Sequence, residues 1–322
     1  MWSGPARTTT ISCAGKRFRH FLSETMKKIA FMKFSGAGND FIVVDNRERV
    51  VDSKRMMTFV SAVCRRHLSV GADGIIFIEK SRKYDFRWRF YNNDGGEASF
   101  CGNGARCAAR FALLKRIAPK SMRFEGSSGV MEAEVNQEQV TVRVPDPTAI
   151  GLHLRVPIAS TMRRKTDVPG AAPTVGEHGM VLEGHVIHTG VPHLVYFVPN
   201  TGTAEVIGIG RPTRYHELFK PAGTNVNFAQ VIDRNTIEVR TYERGVEDET
   251  LACGSGSLAA ALLAALVHKV ESPVTVIPLS RMPLTVTFER KKDSFTNLTL
   301  TGEARAVYEG LMRPEAWEYS LR

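Results

Sequence analysis

Cysteine is scarce in this 322-residue chain: there are five, an odd number, and no two form a Cys-x-x-Cys pair. A disulfide framework is therefore not expected, and reduced thiols in a reducing compartment are. No apolar run reaches the roughly 20 residues that a membrane-crossing helix needs, so no membrane partner is expected. The chain is basic, with 43 Lys and Arg against 33 Asp and Glu, yet it lacks a long Lys/Arg block and any nucleic-acid-binding motif. Scattered positive charge of this kind points to an anionic small molecule and away from nucleic acid. The 43% hydrophobic and 24% charged residues are ordinary globular values, and the length suggests roughly two domains.

Acid is nearly missing from residues 1–25, where Arg7, Lys16, Arg17 and Arg19 face Glu24 alone amid Ser and Thr. Two readings stay open. The stretch is a transit peptide, which makes the location a plastid, or it is a disordered or mis-assigned preamble to a true start at Met26 in a cytoplasmic protein. Cys13 and His20 receive no role.

Against these absences, two stretches stand out. Thr241-Tyr-Glu-Arg-Gly-Val-Glu-Asp-Glu-Thr-Leu-Ala-Cys-Gly-Ser-Gly256 leads into the apolar run 257–267. Phe90-Tyr-Asn-Asn-Asp-Gly-Gly-Glu-Ala-Ser-Phe-Cys-Gly-Asn-Gly104 leads into 105–114. Cys253 lies 152 positions after Cys101, about one domain length, so the chain reads as a duplicated unit presenting one thiol per half. Each cysteine sits at the first turn of a helix. The glycines after it permit a tight turn and leave helical N–H groups uncovered. The positive end of the helix favours thiolate over thiol, and the free N–H groups can bind a carboxylate. The plainer alternative is a cysteine packed as a small hydrophobe before a glycine turn; recurrence in two acidic-loop contexts argues against it.

Local patterns predict strands over residues 29–34 and 41–45 and a helix from Ser53, as its N-cap, to Leu68. Cys64 and His67 fall within that helix in packing and surface roles. Strands follow over 75–79 and 86–91, then the Cys101 helix with Cys107 in its core, then strands over 122–125, 130–135 and 140–144. Pro145-Asp-Pro147 marks a boundary. Beyond it come strands over 154–158 and 186–188 separated by a loop over 160–179, the turn Thr189-Gly-Val-Pro-His193, and a strand over 194–198. A short helix near 215–219, strands over 225–232 and 236–242, the Cys253 helix and four closing strands complete the chain. Two β-rich units, each around an apolar helix, make an α+β fold.

The motifs Ser35-Gly-Ala-Gly-Asn-Asp-Phe41, Asn92-Asn-Asp-Gly-Gly-Glu97, Cys101-Gly-Asn-Gly-Ala-Arg-Cys107, Gly223-Thr-Asn-Val-Asn-Phe228, Glu243-Arg-Gly245 and Ala252-Cys-Gly-Ser-Gly256 together resemble the diaminopimelate epimerase family. The match runs in order from about Lys28 to Met312. The resemblance implies two pseudo-symmetric domains, each a mostly antiparallel β-structure around a central helix, with the active site in the cleft between them. The expected division is 26–145 for the first domain and 146–308 for the second, with 309–322 returning to the first as a strand. It also implies an isomerase of amino-acid (lysine) biosynthesis that uses no cofactor and no metal, takes a small amino-acid substrate and acts as a homodimer. Position by position, Cys101 becomes the base toward the L-configured carbon and Cys253 its partner on the opposite face. Gly102, Asn103, Gly254 and Ser255 hold the α-carboxylate, and Asn39, Asn92, Asn225, Glu243 and Arg244 bind the remaining polar groups. For His193, a structural role and a helping catalytic role both stay open.

Inverting a carbon without a cofactor needs one thiolate and one thiol that exchange roles with direction, so the chemistry agrees with the residues. Two departures from the family pattern concern the far end of the substrate. Val191 stands where the family usually has Asn, and the loop from Glu243 to Thr250 is one residue longer than its commonest form. A related epimerase acting on another amino acid therefore stays open. Two other classes have some footing in the sequence. Gly254-Ser-Gly-Ser-Leu-Ala259 approximates a dinucleotide fingerprint, but it follows an acidic loop and not a hydrophobic strand end. A thiol redox protein is the third class.

Overall fold

The computed structural model describes residues 28–98, 101–158 and 180–319. The first half runs β1 (Ile29–Gly36), β2 (Asn39–Asp45), α1 (Met56–Val63), β3 (Gly74–Glu79), β4 (Phe86–Asn92), β5 (Glu97–Ala98), α2 (Gly102–Leu114), β6 (Ser121–Gly126), β7 (Gly129–Asn136) and β8 (Gln139–Arg143). After β9 (Thr148–Ile158), the second half repeats that order. It runs β10 (Met180–His188), β11 (Pro192–Phe197), α3 (Val206–Arg214), β12 (Asn225–Val231), β13 (Thr236–Glu243), β14 (Asp248–Thr250), α4 (Gly254–Val267), β15 (Val274–Pro278), β16 (Leu284–Lys291) and β17 (Ser294–Glu303). The chain closes with β18 (Arg305–Met312) and the short α5 (Glu315–Glu318).

Strand pairing makes the duplication explicit. In the first half β1–β2 is antiparallel, β2–β3 parallel, β3–β4 antiparallel, β4–β6 parallel, and β6–β7–β8 antiparallel. The second half repeats the same senses through β10, β11, β12, β13, β15, β16 and β17. The mostly antiparallel, two-unit α+β fold is therefore as expected. The halves join by antiparallel pairing of their equivalent last strands, β8 and β17. They also exchange outer strands: β9 pairs with β10, and β18 returns from the chain's end to pair with β1.

Each half wraps around one helix. α4 is apolar all round, as a helix with no solvent face must be, and Leu258, Leu262 and Leu263 are fully buried. Each such leucine contributes about 1.5–3 kcal/mol by leaving water. In α2, Ala105, Ala108, Ala109 and Ala112 keep the helix thin enough to lie close to its strands. One hydrophobic cluster contains both helices, while two smaller clusters lie under α1 and α3.

Two local expectations need correction. The first helix ends at Val63, not Leu68, and Asp52 caps the turn that begins it, accepting from Lys54 N–H, where Ser53 was expected to cap. Its last carbonyls are taken from outside: Gly71 N–H donates to Val63 O and Ala72 N–H to Cys64 O, so the chain turns back. Cys64 is buried, but His67 lies beyond the helix at φ 71°. The helix expected near 215–219 lies upstream as α3, with only a 3-10 turn at Glu217–Phe219. The loop expected over 160–179, Cys13 and His20 lie outside the described residues.

Candidate active site

Cys101 and Cys253 are the N-caps of α2 and α4. Both have extended backbone, at φ −150° and −116°, which turns each side chain back over the helix start. Each sulfur accepts the N–H of the residue three positions on, Gly104 at 3.3 Å and Gly256 at 3.4 Å. Glycine is required at 256, because a Cβ there would come within 2.4 Å of Asn227 Oδ1. The i→i−4 ladders start at Ala105 and Ser257. The N–H groups of Gly102, Asn103, Gly254 and Ser255 are thus left without carbonyl partners among the described residues.

The two helix starts meet. Asn103 Nδ2 donates to Asn39 Oδ1 at 2.5 Å and, across the halves, to Ala252 O at 3.3 Å, one residue before Cys253. Between them opens a cavity of about 700 Å³. Cys101, Gly102, Asn103, Cys253, Gly254, Ser255, Asn39, Asn92, Asn225, Glu243 and Arg244 all line it, as does Val191.

Within this wall, Asn39 Nδ2 donates to Asp73 Oδ2 at 3.3 Å. Asn225 is already engaged: its Oδ1 accepts Arg244 N–H at 2.8 Å and its Nδ2 donates to Pro192 O at 3.1 Å, tying two cavity loops together. Asn92 is exposed at the rim. Glu243 accepts the Thr250 hydroxyl at 2.9 Å. Burial pushes the Glu243 carboxyl above its ordinary range, the Thr250 hydroxyl opposes this, and Asp73 adds to it.

His193 does not line the cavity but lies one residue behind it, 1% exposed. Thr241 Oγ1 donates to Asn227 Oδ1 at 2.9 Å, so the Asn227 amide presents its NH2 to His193 Nδ1 at 3.2 Å. A neutral imidazole accepting there carries its proton on Nε2, facing Ser255 Oγ at 3.0 Å. Ser255 Oγ–H is then free to donate to Cys253 Sγ at 3.5 Å. Burial, with the nearby Arg244 and His188, pushes His193 down to about 3, so it is neutral at pH 7.

Burial pushes the Cys101 thiol up to about 11; the Gly104 N–H and Arg106 pull it down, and Glu243 pushes it up. Cys253 is raised further by burial and by Glu243, against the Ser255 hydroxyl and Gly256 N–H. A dry cavity thus favours thiols, and a cation or donor must be supplied for one to ionise.

Sequence reasoning missed Asn227, Asp73 and Thr250. Asn227 falls inside a motif already singled out, two positions from Asn225, but only the fold aims it at His193. One possible metal set exists among the described residues, His153, Glu183 and His185, with ligand atoms within 4.8 Å of one another. None of the three lines the cavity, and His185 Nδ1 is occupied by the His153 main-chain N–H at 3.2 Å.

Comparison with known proteins bears on the family and the fold. The diaminopimelate epimerase family model matches residues 31–149 and 185–307. The chain is 41% identical over 300 residues to the diaminopimelate epimerase of Aquifex aeolicus (strain VF5), covering 90% of this chain and 99% of that protein. It is 38% identical over 299 residues to that of Archaeoglobus fulgidus, covering 91% and 100%. Among solved structures, a hydroxyproline epimerase from Agrobacterium vitis superposes with a TM-score of 0.65 at 12% identity, covering 90% of this chain and 94% of the other. A Bacillus anthracis protein of the PhzF family gives 0.65 at 15% identity, covering 89% and 99%. At such identities these two report the fold alone.

Proposed function

The chain belongs to the diaminopimelate epimerase family, and from that premise we propose that it interconverts LL-2,6-diaminopimelate and meso-diaminopimelate by proton transfer at the α-carbon, without a cofactor. The observation that carries this reading is the pair of cysteines capping two helices whose N-termini open onto one cavity.

In the forward direction the Cys101 thiolate removes the α-proton from the L-configured carbon. The Cys253 thiol then delivers its proton to the opposite face, leaving Cys101 protonated and Cys253 as thiolate; the reverse reaction exchanges the roles. Charge developing at the carbon spreads onto the α-carboxylate. The N–H groups of Gly102, Asn103, Gly254 and Ser255 are placed to hold it, which is typically the largest single contribution to such catalysis. Glu243 suits a substrate ammonium, and Arg244 suits a carboxylate. Asn39 and Asn92 offer amides to the remaining polar groups, while Asn225 acts mainly by holding Arg244 and the turn at Pro192. His193 acts through Ser255 on Cys253.

In the division into residues 26–145 with 309–322, and 146–308, the return of the chain's end to the first half draws support from the pairing of β18 with β1, which starts at Arg305, four residues before the proposed boundary. A homodimer is part of the same reading, as is a cytoplasmic location, or a plastid if residues 1–25 serve as a transit peptide.

The test is α-deuterium uptake from D2O across a panel of amino acids. Label should wash into LL-diaminopimelate, and should be lost in both Cys101→Ser and Cys253→Ser. Exchange confined to another amino acid would overturn the substrate, and activity surviving either substitution would overturn the two-thiol chemistry.

A further inference from the structure

Arg106 lies on α2, one turn past Cys101, with 0% of its surface exposed. Its side chain leans back toward the helix N-terminus, as helical side chains do. Nη1 donates to Gly102 O at 3.3 Å and Nη2 to Asn103 Oδ1 at 2.8 Å, while Nε has no partner. Across the interface it lies against Gly302 of β17, where a Cβ would come within 2.4 Å of Leu284 Cδ2 and 3.2 Å of the Arg106 Cζ and Nε. The ionisable groups facing this guanidinium are the thiols of Cys101 and Cys107; it forms no ion pair with a carboxylate among the described residues.

A buried charge without a counter-ion is unfavourable, and an apolar side chain of similar size would fill the same space without that cost. The arrangement makes sense if the counter-ion is transient. We propose that Arg106 is a positioning residue for the proton transfer: it fixes the amide of Asn103 and supplies the buried positive charge against which Cys101 ionises. The first part follows from the hydrogen bonds. With Asn103 Oδ1 held by Arg106, its Nδ2 must face Asn39 and Ala252, which locks the two cysteine-bearing helix starts together. The second follows from the charges around Cys101. Glu243 on β13 opposes a thiolate there, Cys107 contributes no positive charge, and of the two arginines on α2 it is Arg106 that acts on Cys101, since Arg110 is engaged by Ala304 O and Glu138.

The proposal rests on the epimerase reading, but its first test uses no substrate. In a Cys253→Ala chain, alkylation of Cys101 by iodoacetamide is followed against pH by peptide mass mapping, with Arg106 intact, Arg106→Lys and Arg106→Met. Arg106→Met is expected to move the alkylation midpoint up by about one pH unit or more, and Arg106→Lys to keep it within about half a unit. An unmoved midpoint in a folded Arg106→Met chain overturns the proposal. If Arg106→Met does not fold, Arg106→Lys in the two-cysteine enzyme decides. Lysine keeps the charge but cannot fork between Gly102 and Asn103, so kcat should fall about tenfold or more with KM within about twofold. An unchanged kcat overturns the proposal. Failure of the deuterium test with a normal midpoint shift would instead indict the substrate.

Discussion

Replacing Ser255 by alanine removes one hydroxyl and leaves the main-chain N–H in place, so it separates two roles that share a residue. The hydroxyl is the side-chain donor for Cys253, at 3.5 Å, and it also receives the His193 Nε2 proton, at 3.0 Å. A hydrogen bond to a charged group is worth about 1.5–3 kcal/mol. At about 1.4 kcal/mol per pKa unit, its loss raises the Cys253 thiol by one to two units and cuts the thiolate fraction by about 10–100-fold. Stranding the buried His193 N–H costs about 1–3 kcal/mol of stability besides. Iodoacetamide alkylation of Cys253 in a Cys101→Ala chain reads the first effect, and chemical denaturation reads the second. In the two-cysteine enzyme kcat should fall by about 10–100-fold, with KM changed less than about threefold, because the carboxylate-binding N–H persists. Ser255→Thr, which keeps a hydroxyl, should behave nearly as wild type. A loss expressed wholly in KM, with the alkylation midpoint unmoved, would refute the relay from Asn227 through His193 and Ser255 to Cys253.

His193, pushed down to about 3 from an ordinary value near 6.5, stabilises the fold fully above pH 6.5. That stability is lost as pH falls, by about 1.4 kcal/mol per pH unit. His193→Gln should therefore flatten the decline of unfolding free energy between pH 6.5 and 4.5; an identical slope would contradict the burial of a neutral imidazole. Asp40 accepts Lys33 at 2.7 Å and Arg66 at 2.5 Å. Burial alone would raise its carboxyl, but these two cations outweigh burial and hold it below the usual range. Asp40→Asn leaves the buried Lys33 ammonium short of a counter-ion and should cost about 2–4 kcal/mol by urea denaturation at pH 7. A carboxylate with a depressed value contributes its stability above about pH 4, so the gap between variant and wild type should close below that pH, and a gap constant down to pH 2.5 would be the contrary result.

What sequence reading found here was short in range. A cysteine followed by glycines and an apolar run announces a capped helix within one turn, and both α2 and α4 form as expected. Where it failed, the fold had overridden local preference. The α3 sequence Val206-Ile-Gly-Ile-Gly-Arg-Pro-Thr-Arg214 carries two glycines and a proline, all breakers in isolation. It is helical because it packs on β12 and β13, and Gly210 is there because a Cβ would come within 2.6 Å of Tyr242 Cβ and 2.9 Å of its Cγ. Likewise α1 stops early because Gly71 and Ala72 take the carbonyls that would have continued it.

By itself, the sequence determined that two like halves each offer a thiol at a helix start, since that depends on residues a few positions apart. Only the tertiary structure decided that Asn103 reaches the peptide before Cys253, 149 positions away, that His193 stands behind Ser255, and that Arg106 is buried without a carboxylate against Gly302. The first and last of these contacts cross the two halves, which the β8–β17 pairing joins, and the second is made inside the second half, where α4 packs on β11. Local propensity is blind to such pairings, because the residues they bring together have no influence on one another until the chain has closed.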